Sequence, residues 1–386
     1  MSVNKLYDSF LQLRNNKLIQ NLPRILFFLV MFFQLLLGRS MLGSYHFFSL
    51  LYGQFVRYAG VIIIAFCLVF KEFTKKELYI YFSALLLLCV VTSPHNPILM
   101  LSLIMLLKDE KRERIIKSLI LIYSITFPFV IALNLTGLIP ADIHGTTRHS
   151  LGFIHPNTTG LMFLIIFISC LLQGKLKWFQ MVLFLGGYLI LNQFIASTTP
   201  LLTMLLMIGV VFLKGIFEYF NINIEKVKKI GYAIVWTLPL FWLIISYFLA
   251  VVYHPELYLL ERLNLFLTHR IRLSQVFVND YPVNLFGNFL FSPGRYENGW
   301  RFLDNGYLLL LLGHGLVYTI VLLAYFIWVS KKMHLAGFKY APIVFIGIAT
   351  YGFSEHGVIV YWVNILFLFG GTFLKEYHIE KNIAND

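Results

Sequence analysis

Apolar runs of nearly bilayer-crossing length recur along the whole chain, and this repetition constrains the fold more than any other feature. A crossing helix needs about 20 predominantly apolar residues. Runs near that length lie at roughly 21–38, 46–70, 77–93, 97–107, 115–135, 152–172, 178–196, 200–219, 230–252, 304–329, 340–353 and 357–374. They predict about twelve membrane helices, with the fourth and eleventh runs short for the task. Only 13 % of the 386 residues are charged, and 38 are Phe, which is the composition of an all-α polytopic integral membrane protein. No internal repeat or linker interrupts the pattern, so residues 1–386 read as a single membrane domain.

No small-residue cleavage site follows the first apolar run, and the first residues carry Lys5, Arg14, Lys17 and Arg24, which predicts a retained N-terminus. Cys67, Cys89 and Cys170 all lie inside apolar runs, where cysteine behaves as a small hydrophobe.

Placing the N-terminus in the cytoplasm puts 23 of the 31 basic residues on the inner side, as the positive-inside rule requires. Both termini are then cytoplasmic. The net charge of +13 is thus mostly an orientation signal and an attraction to anionic inner-leaflet lipid, and no motif points to nucleic acid. The eight remaining basic residues are all arginines: Arg39, Arg57, Arg148, Arg262, Arg270, Arg272, Arg295 and Arg301. A planar fork of donors suits bidentate capture of phosphate or pyrophosphate better than an ammonium does. The competing reading pairs these arginines with the outer carboxylates Asp142, Glu256, Glu261, Asp280, Glu297, Asp304 and Glu355. Arg57 lies within a predicted span and is expected to face the protein interior or a lipid-phosphate cavity.

One outer segment is long, residues 253–303 between the ninth and tenth predicted helices, and it carries five of the eight outer arginines. Within it Leu259, Leu263, Leu267, Ile271 and Phe277 recur near helical period, predicting an amphipathic helix or helix pair on the outer face. "NDYP" and "SPGRYENG" are turn-rich and end it. No Walker loop is present, which argues against ATP-driven transport. No D-x-D pair or Cys/His cluster stands at ligand spacing, so no metal and no cofactor is expected.

Polar residues also punctuate the sixth run, in "TRHSLGFIHPNTTG" (147–160). Pro156 fits the first turn of a helix, with Asn157 or the threonines capping it. His155 and Arg148, polar at a membrane edge, are expected to face protein or a water-filled cavity.

This stretch, as R-x-S-L-G-F-x-H-P-N, resembles a motif of Wzy-type capsular and exopolysaccharide polymerases, within the wider group of O-antigen polymerases and O-antigen ligases. Three further segments are similar to the family in order and spacing. "LNQFIASTTPLLTMLL" (191–206) resembles its apolar helix ending in a Ser/Thr turn, without the arginine often found there. "THRIRLSQVFVNDYPVNLFG" (268–287) resembles its arginine followed by an amphipathic stretch and a glycine turn. "LDNGYLLLLLGHGLVYTIV" (303–321) resembles the segment in which Asp or His and then Asn precede a Tyr-Leu helix and a glycine. The likeness covers roughly residues 95–370.

The resemblance implies a GT-C-like membrane glycosyltransferase of the bacterial cytoplasmic membrane. It would join undecaprenyl-pyrophosphate-linked oligosaccharide repeat units on the outer face, without metal, alongside a flippase and a chain-length regulator. Arg270, with Arg148 and Arg272, would bind pyrophosphate. Asp304 would be the base, unless it merely caps the following helix. Because Arg270 and Arg272 are two apart they should not share a helix face. His155, Asn157 and Asn305 would orient or bind sugar, and Glu297 and Glu355 are further base candidates. His314 is expected to pack or to bond between helices. The alternatives are a ligase with a different acceptor, a flippase or exporter, and a non-enzymatic scaffold.

Overall fold

The computed structural model describes residues 17–90, 95–140, 148–220, 225–288, 291, 294–295, 301–356 and 360–374. Among them the chain is almost entirely helical: α1 (Lys17–Gly38), α2 (His46–Phe70), α3 (Lys75–Val90), α4 (His95–Leu107), α5 (Arg112–Leu135), α6 (Pro156–Leu172), α7 (Trp178–Ile195), α8 (Thr198–Tyr219), α9 (Glu225–Val252), α10 (Tyr258–Phe266), α11 (Arg270–Asp280), α12 (Gly306–Leu335), α13 (Ala341–Ser354) and α14 (Ile365–Leu374). A two-stranded antiparallel hairpin, β1 (Gly294–Arg295) with β2 (Arg301–Phe302), pairs Arg295 with Arg301. Among the described residues seven helices are long and apolar enough to cross a membrane: Ile19–Gly38 of α1, α2, α5, α7, Thr198–Phe217 of α8, Gly231–Val252 of α9, and α12.

The shorter apolar helices occupy the middle. Along α6, Leu161, Leu164, Ile165, Phe167 and Ile168 are all buried, and in α14 Leu366, Phe367, Leu368 and Phe369 are wholly enclosed. The long helices α2 and α7 turn Val61, Ile62, Leu183 and Ile190 outward. At the end of the bundle away from the 253–303 segment, Lys108 and Glu77 form a buried pair at 3.0 Å. Arg24 with Glu110 (2.8 Å) and Lys71 with Asp109 (2.9 Å) tie the same end.

The amphipathic stretch is a pair of helices, one of its two expected forms, because Thr268 and His269 adopt positive φ (53° and 63°) and stop α10 before α11 begins. Other sequence expectations change. The run 304–329 is not one regular helix: a π-helical turn covers Leu309–His314, and Gly315 (φ +88°) restarts the α-helix. The interruption has a partner. Segment 284–288 lies across it, with Leu316 N donating to Asn284 O (2.9 Å), Val317 N to Leu285 O (3.1 Å) and Asn288 N to Leu312 O (3.2 Å). A Cβ on Gly315 would stand 2.2 Å from Gly287 N, so both glycines of this crossing are required by backbone contact. The last run is helical only from Ile365, after a turn at Tyr361–Val363, and residues 357–359 lie outside the described chain. Arg57, expected to face the protein interior or a lipid-phosphate cavity, is exposed on α2 and does not face the interior. His314 packs with its ring centroid 5.2 Å from that of Tyr318 but makes no hydrogen bond through Nδ1, so only the packing part of that expectation holds.

Candidate functional site

The beginning of α6 explains the polar island of the sixth run. Pro156 is its first residue, where no intrahelical N–H is lost, and His155 is the N-cap, its Nδ1 accepting from Asn157 N (3.1 Å). His155 therefore positions Asn157. Asn157 Oδ1 accepts from Arg148 Nη2 (2.9 Å) and Ser197 Oγ (2.9 Å), and its Nδ2 donates to Glu355 Oε1 (2.7 Å). Arg148 Nε also donates to Ile195 O (3.2 Å), at the end of α7.

Arg270 is the first residue of α11, aimed by the break at Thr268 and His269. Its Nη2 donates to the same Glu355 oxygen (2.9 Å), its Nη1 donates to Thr199 Oγ1 (3.3 Å), and its Nε lies 3.6 Å from Asp304 Oδ2. The last distance is an ion pair without a hydrogen bond, and Nε is buried with no bonding partner. One chain of contacts thus runs Arg148, Asn157, Glu355, Arg270, Asp304.

Asp304 is free for this role because it does not cap α12. Asn305 does, its Oδ1 accepting from Tyr307 N (3.1 Å) and Leu308 N (3.0 Å). Gly306 then lets the start of α12 meet the end of α13: a Cβ there would lie 2.7 Å from Glu355 O. The two carboxylates are held on either side of one guanidinium. Burial first, and the Asp304 charge second, push the Glu355 carboxyl up to about 7, against the pull of Arg270 and Asn157. Burial also raises Asp304, opposed by Arg270. A carboxyl raised in this way, as Glu355 is, suits the exchange of a proton that acid–base chemistry requires.

Other expectations are corrected. Asn305, expected to bind sugar, is a buried helix cap whose Nδ2 also donates to Ser246 Oγ (2.8 Å). Arg272 is exposed and points away from Arg270, as two-residue spacing requires, toward Glu261 and Tyr253, whose ionisation it influences. It does not join the cluster. Glu297 lies outside the described residues. Of the outer arginines, Arg39, Arg148 and Arg270 turn inward, while Arg57, Arg262 and Arg272 are exposed. Arg270 pairs with Asp304 and Glu355, as the ion-pair reading of the outer arginines expected.

Three residues of the site drew no role from the sequence, Ser197, Thr199 and His356, and Arg39 was read only as one of the eight outer arginines. The Ser/Thr turn "ASTTP" was visible, but not that its hydroxyls meet Asn157 and Arg270. His356 follows Glu355, and its imidazole is held down to about 4, chiefly by burial and then by Arg39, Arg270 and His155. Asp304, Glu355 and His356 offer ligand atoms within 4.8 Å of one another. The sequence contains no cluster at ligand spacing, yet the fold assembles one from residues about fifty positions apart. Arg270 already supplies the positive charge that both carboxylates face, so a cation here would have to displace the guanidinium.

No family model, curated protein or solved structure matches the chain.

Proposed function

We propose that this chain is a membrane glycosyltransferase that polymerises oligosaccharide repeat units carried on undecaprenyl pyrophosphate, at the outer face of the bacterial cytoplasmic membrane. The observation that carries the reading is Arg270, half-buried between Glu355 and Asp304 and linked through Glu355 and Asn157 to Arg148, at one end of an apolar helical bundle. The full topology in this reading has twelve crossings and two cytoplasmic termini, with α10, α11 and the hairpin outside. A flippase would deliver the repeat units, and a chain-length regulator would act on the product.

In the reaction the bond between the sugar's anomeric carbon and the pyrophosphate oxygen breaks, and its electron pair leaves with the pyrophosphate. A hydroxyl oxygen of the acceptor sugar forms the new bond to that carbon and gives up its proton. Arg270 and Arg148 offer fixed cations for the leaving group, whose charge rises in the transition state. Glu355 and Asp304 offer the proton acceptor. The two roles are coupled by Arg270. A pyrophosphate that draws the guanidinium toward itself takes a cation away from Glu355 and so strengthens that carboxylate as a base. Glu355, shared between Asn157 and Arg270, is the first candidate for the base, with Asp304 beside it.

The test is a ladder assay with purified protein in detergent and chemically defined undecaprenyl-pyrophosphate-linked repeat units. Wild type should extend them, and Arg270→Lys and Glu355→Gln should each lose extension while still unfolding cooperatively as folded protein. Transfer to a different acceptor lipid with no ladder, or movement of substrate across liposomes without bond formation, would overturn the polymerase reading.

A further inference from the structure

Arg39 lies in the turn between α1 and the short 3₁₀ helix Met41–Ser44. Its backbone is fastened to the lead-in of α6: Ile154 N donates to Arg39 O (3.1 Å), Met41 N donates to Gly152 O (2.8 Å), and Ser40 bridges Phe153. This anchoring sets its side chain beside the candidate site. The guanidinium carbon stands 4.3 Å from the ring centroid of Trp362, and Nε is excluded from solvent with no hydrogen-bond partner. Among the described residues no carboxylate lies within ion-pair distance of it.

The surrounding hydroxyls bond to other groups, and Arg39 Nε donates to none of them. Tyr52, Tyr123 and Tyr361 are near enough to act on the Arg39 charge. Yet Tyr52 OH accepts from Gln34 Nε2 (2.8 Å), Tyr361 OH donates to Gln34 Oε1 (3.1 Å), and Tyr123 OH donates to Trp362 O. The ring of Trp362 and the phenol dipoles offset part of the desolvation. They do not replace a counter-charge, and a buried cation without one costs stability. Arg148 and Arg270 differ, each having side-chain partners.

A rigid fork of donors walled by aromatic rings and lacking an anion is the arrangement that takes a phosphate oxygen pair. Both Arg39 and Arg270 act on the intervening charge balance at His356, so the two guanidiniums belong to one neighbourhood. We infer that Arg39 is a second phosphate-binding position, distinct from the Arg270–Arg148 clamp, and that its ligand is the phosphate ester of the second lipid-linked substrate, the acceptor. This rests on the glycosyl-transfer reading, which demands two lipid-linked substrates side by side. One clamp would hold the leaving pyrophosphate of the donor while Arg39 holds the head of the acceptor, which keeps its own phosphate through the reaction.

The experiment is equilibrium binding of radiolabelled undecaprenyl pyrophosphate, without sugar, to the full chain in nanodiscs of neutral lipid. Wild type should bind two molecules per chain, Arg39→Gln one, and Arg270→Gln the other one. Arg39→Lys, which keeps the charge but not the fork, should weaken its site about tenfold or more. Two molecules bound by Arg39→Gln overturns the inference. A single wild-type site lost only in Arg270→Gln overturns it too, while leaving the clamp intact. A single site lost only in Arg39→Gln preserves it and removes the clamp. Competition separates the sources of the anion: phosphatidylglycerol displacing the probe from the Arg39 position as well as unlabelled probe does would make this a bilayer-lipid site, and inorganic pyrophosphate doing so would make it a free-anion site. Either result overturns the acceptor assignment. Without ligand, Arg39→Met should melt above wild type, because it removes an uncompensated buried charge, whereas a lower melting temperature would mark Arg39 as a structural residue and overturn the inference.

Discussion

Replacing Glu355 by Gln isolates the physical basis of the candidate site. In the fold this carboxyl stands at about 7, raised from an ordinary 4.5 by burial and by the charge of Asp304. A carboxyl raised in the folded state favours folding fully while it is protonated in both states, below pH 4.5, and that stability is lost as pH rises through 7. The gap of about 2.5 pH units, at 1.36 kcal/mol each, amounts to about 3 kcal/mol. Glutamine keeps an oxygen for Asn157 Nδ2 and Arg270 Nη2 to donate to, but it does not ionise. The stability of Glu355→Gln relative to wild type should therefore climb by about 3 kcal/mol between pH 4.5 and pH 8. Reversible unfolding in mixed detergent micelles at a series of pH values reads this difference. Two parallel stability profiles, or a wild type that gains on the variant over that window, would refute the account of a strained carboxyl. The same group predicts that wild-type transfer rises as pH passes through about 7, and that the variant loses about a hundredfold or more in rate.

In the same transfer assay Arg272→Ala should stay close to wild type while Arg270→Ala drops by about a hundredfold or more, since only Arg270 meets Glu355 and Asp304; equal losses would contradict the geometry. Asn305→Ala removes the cap of α12 and leaves Ser246 without its partner, so thermal unfolding should show a loss of about 2 kcal/mol. Lys108→Met, which strands the buried Glu77 carboxylate, should destabilise by about 3–5 kcal/mol. The double change Lys108→Met with Glu77→Leu should recover most of that loss, and a double variant as unstable as the single one would show that the pair itself, not the unpaired charge, matters.

Much of the architecture was legible because it is local. Run length and hydropathy located α1, α2, α5, α7, α8 and α9 within a few residues, since crossing a bilayer sets both. Proline at the first turn of α6 and the two-residue offset of Arg270 from Arg272 follow from helix geometry. The break between α10 and α11 was harder, because Thr268 and His269 are not residues that announce a positive φ. The interruption of α12 was likewise hidden: "GHG" shows two glycines, but not that segment 284–288 crosses the backbone there. In "LDNG" the sequence offered the cap to Asp304 and sugar binding to Asn305, and only the packed structure gives the cap to Asn305 and turns Asp304 to Arg270.

By itself the sequence determined the class of molecule, the positions of its helices and which residues are charged among apolar ones, because each of these depends on a short window of chain and its transfer from water. The tertiary structure alone decided which apolar faces meet protein, since Leu and Ile read the same whether they touch another helix or an acyl chain. It also decided which charges meet. Residues 148, 157, 199, 270, 304 and 355 share one network only after α6, α8, α11, α12 and α13 pack together, and no local pattern encodes a contact between Asn157 and Glu355. The chemistry resides in those long-range contacts because a buried carboxylate takes its protonation from neighbours that the chain brings from far away.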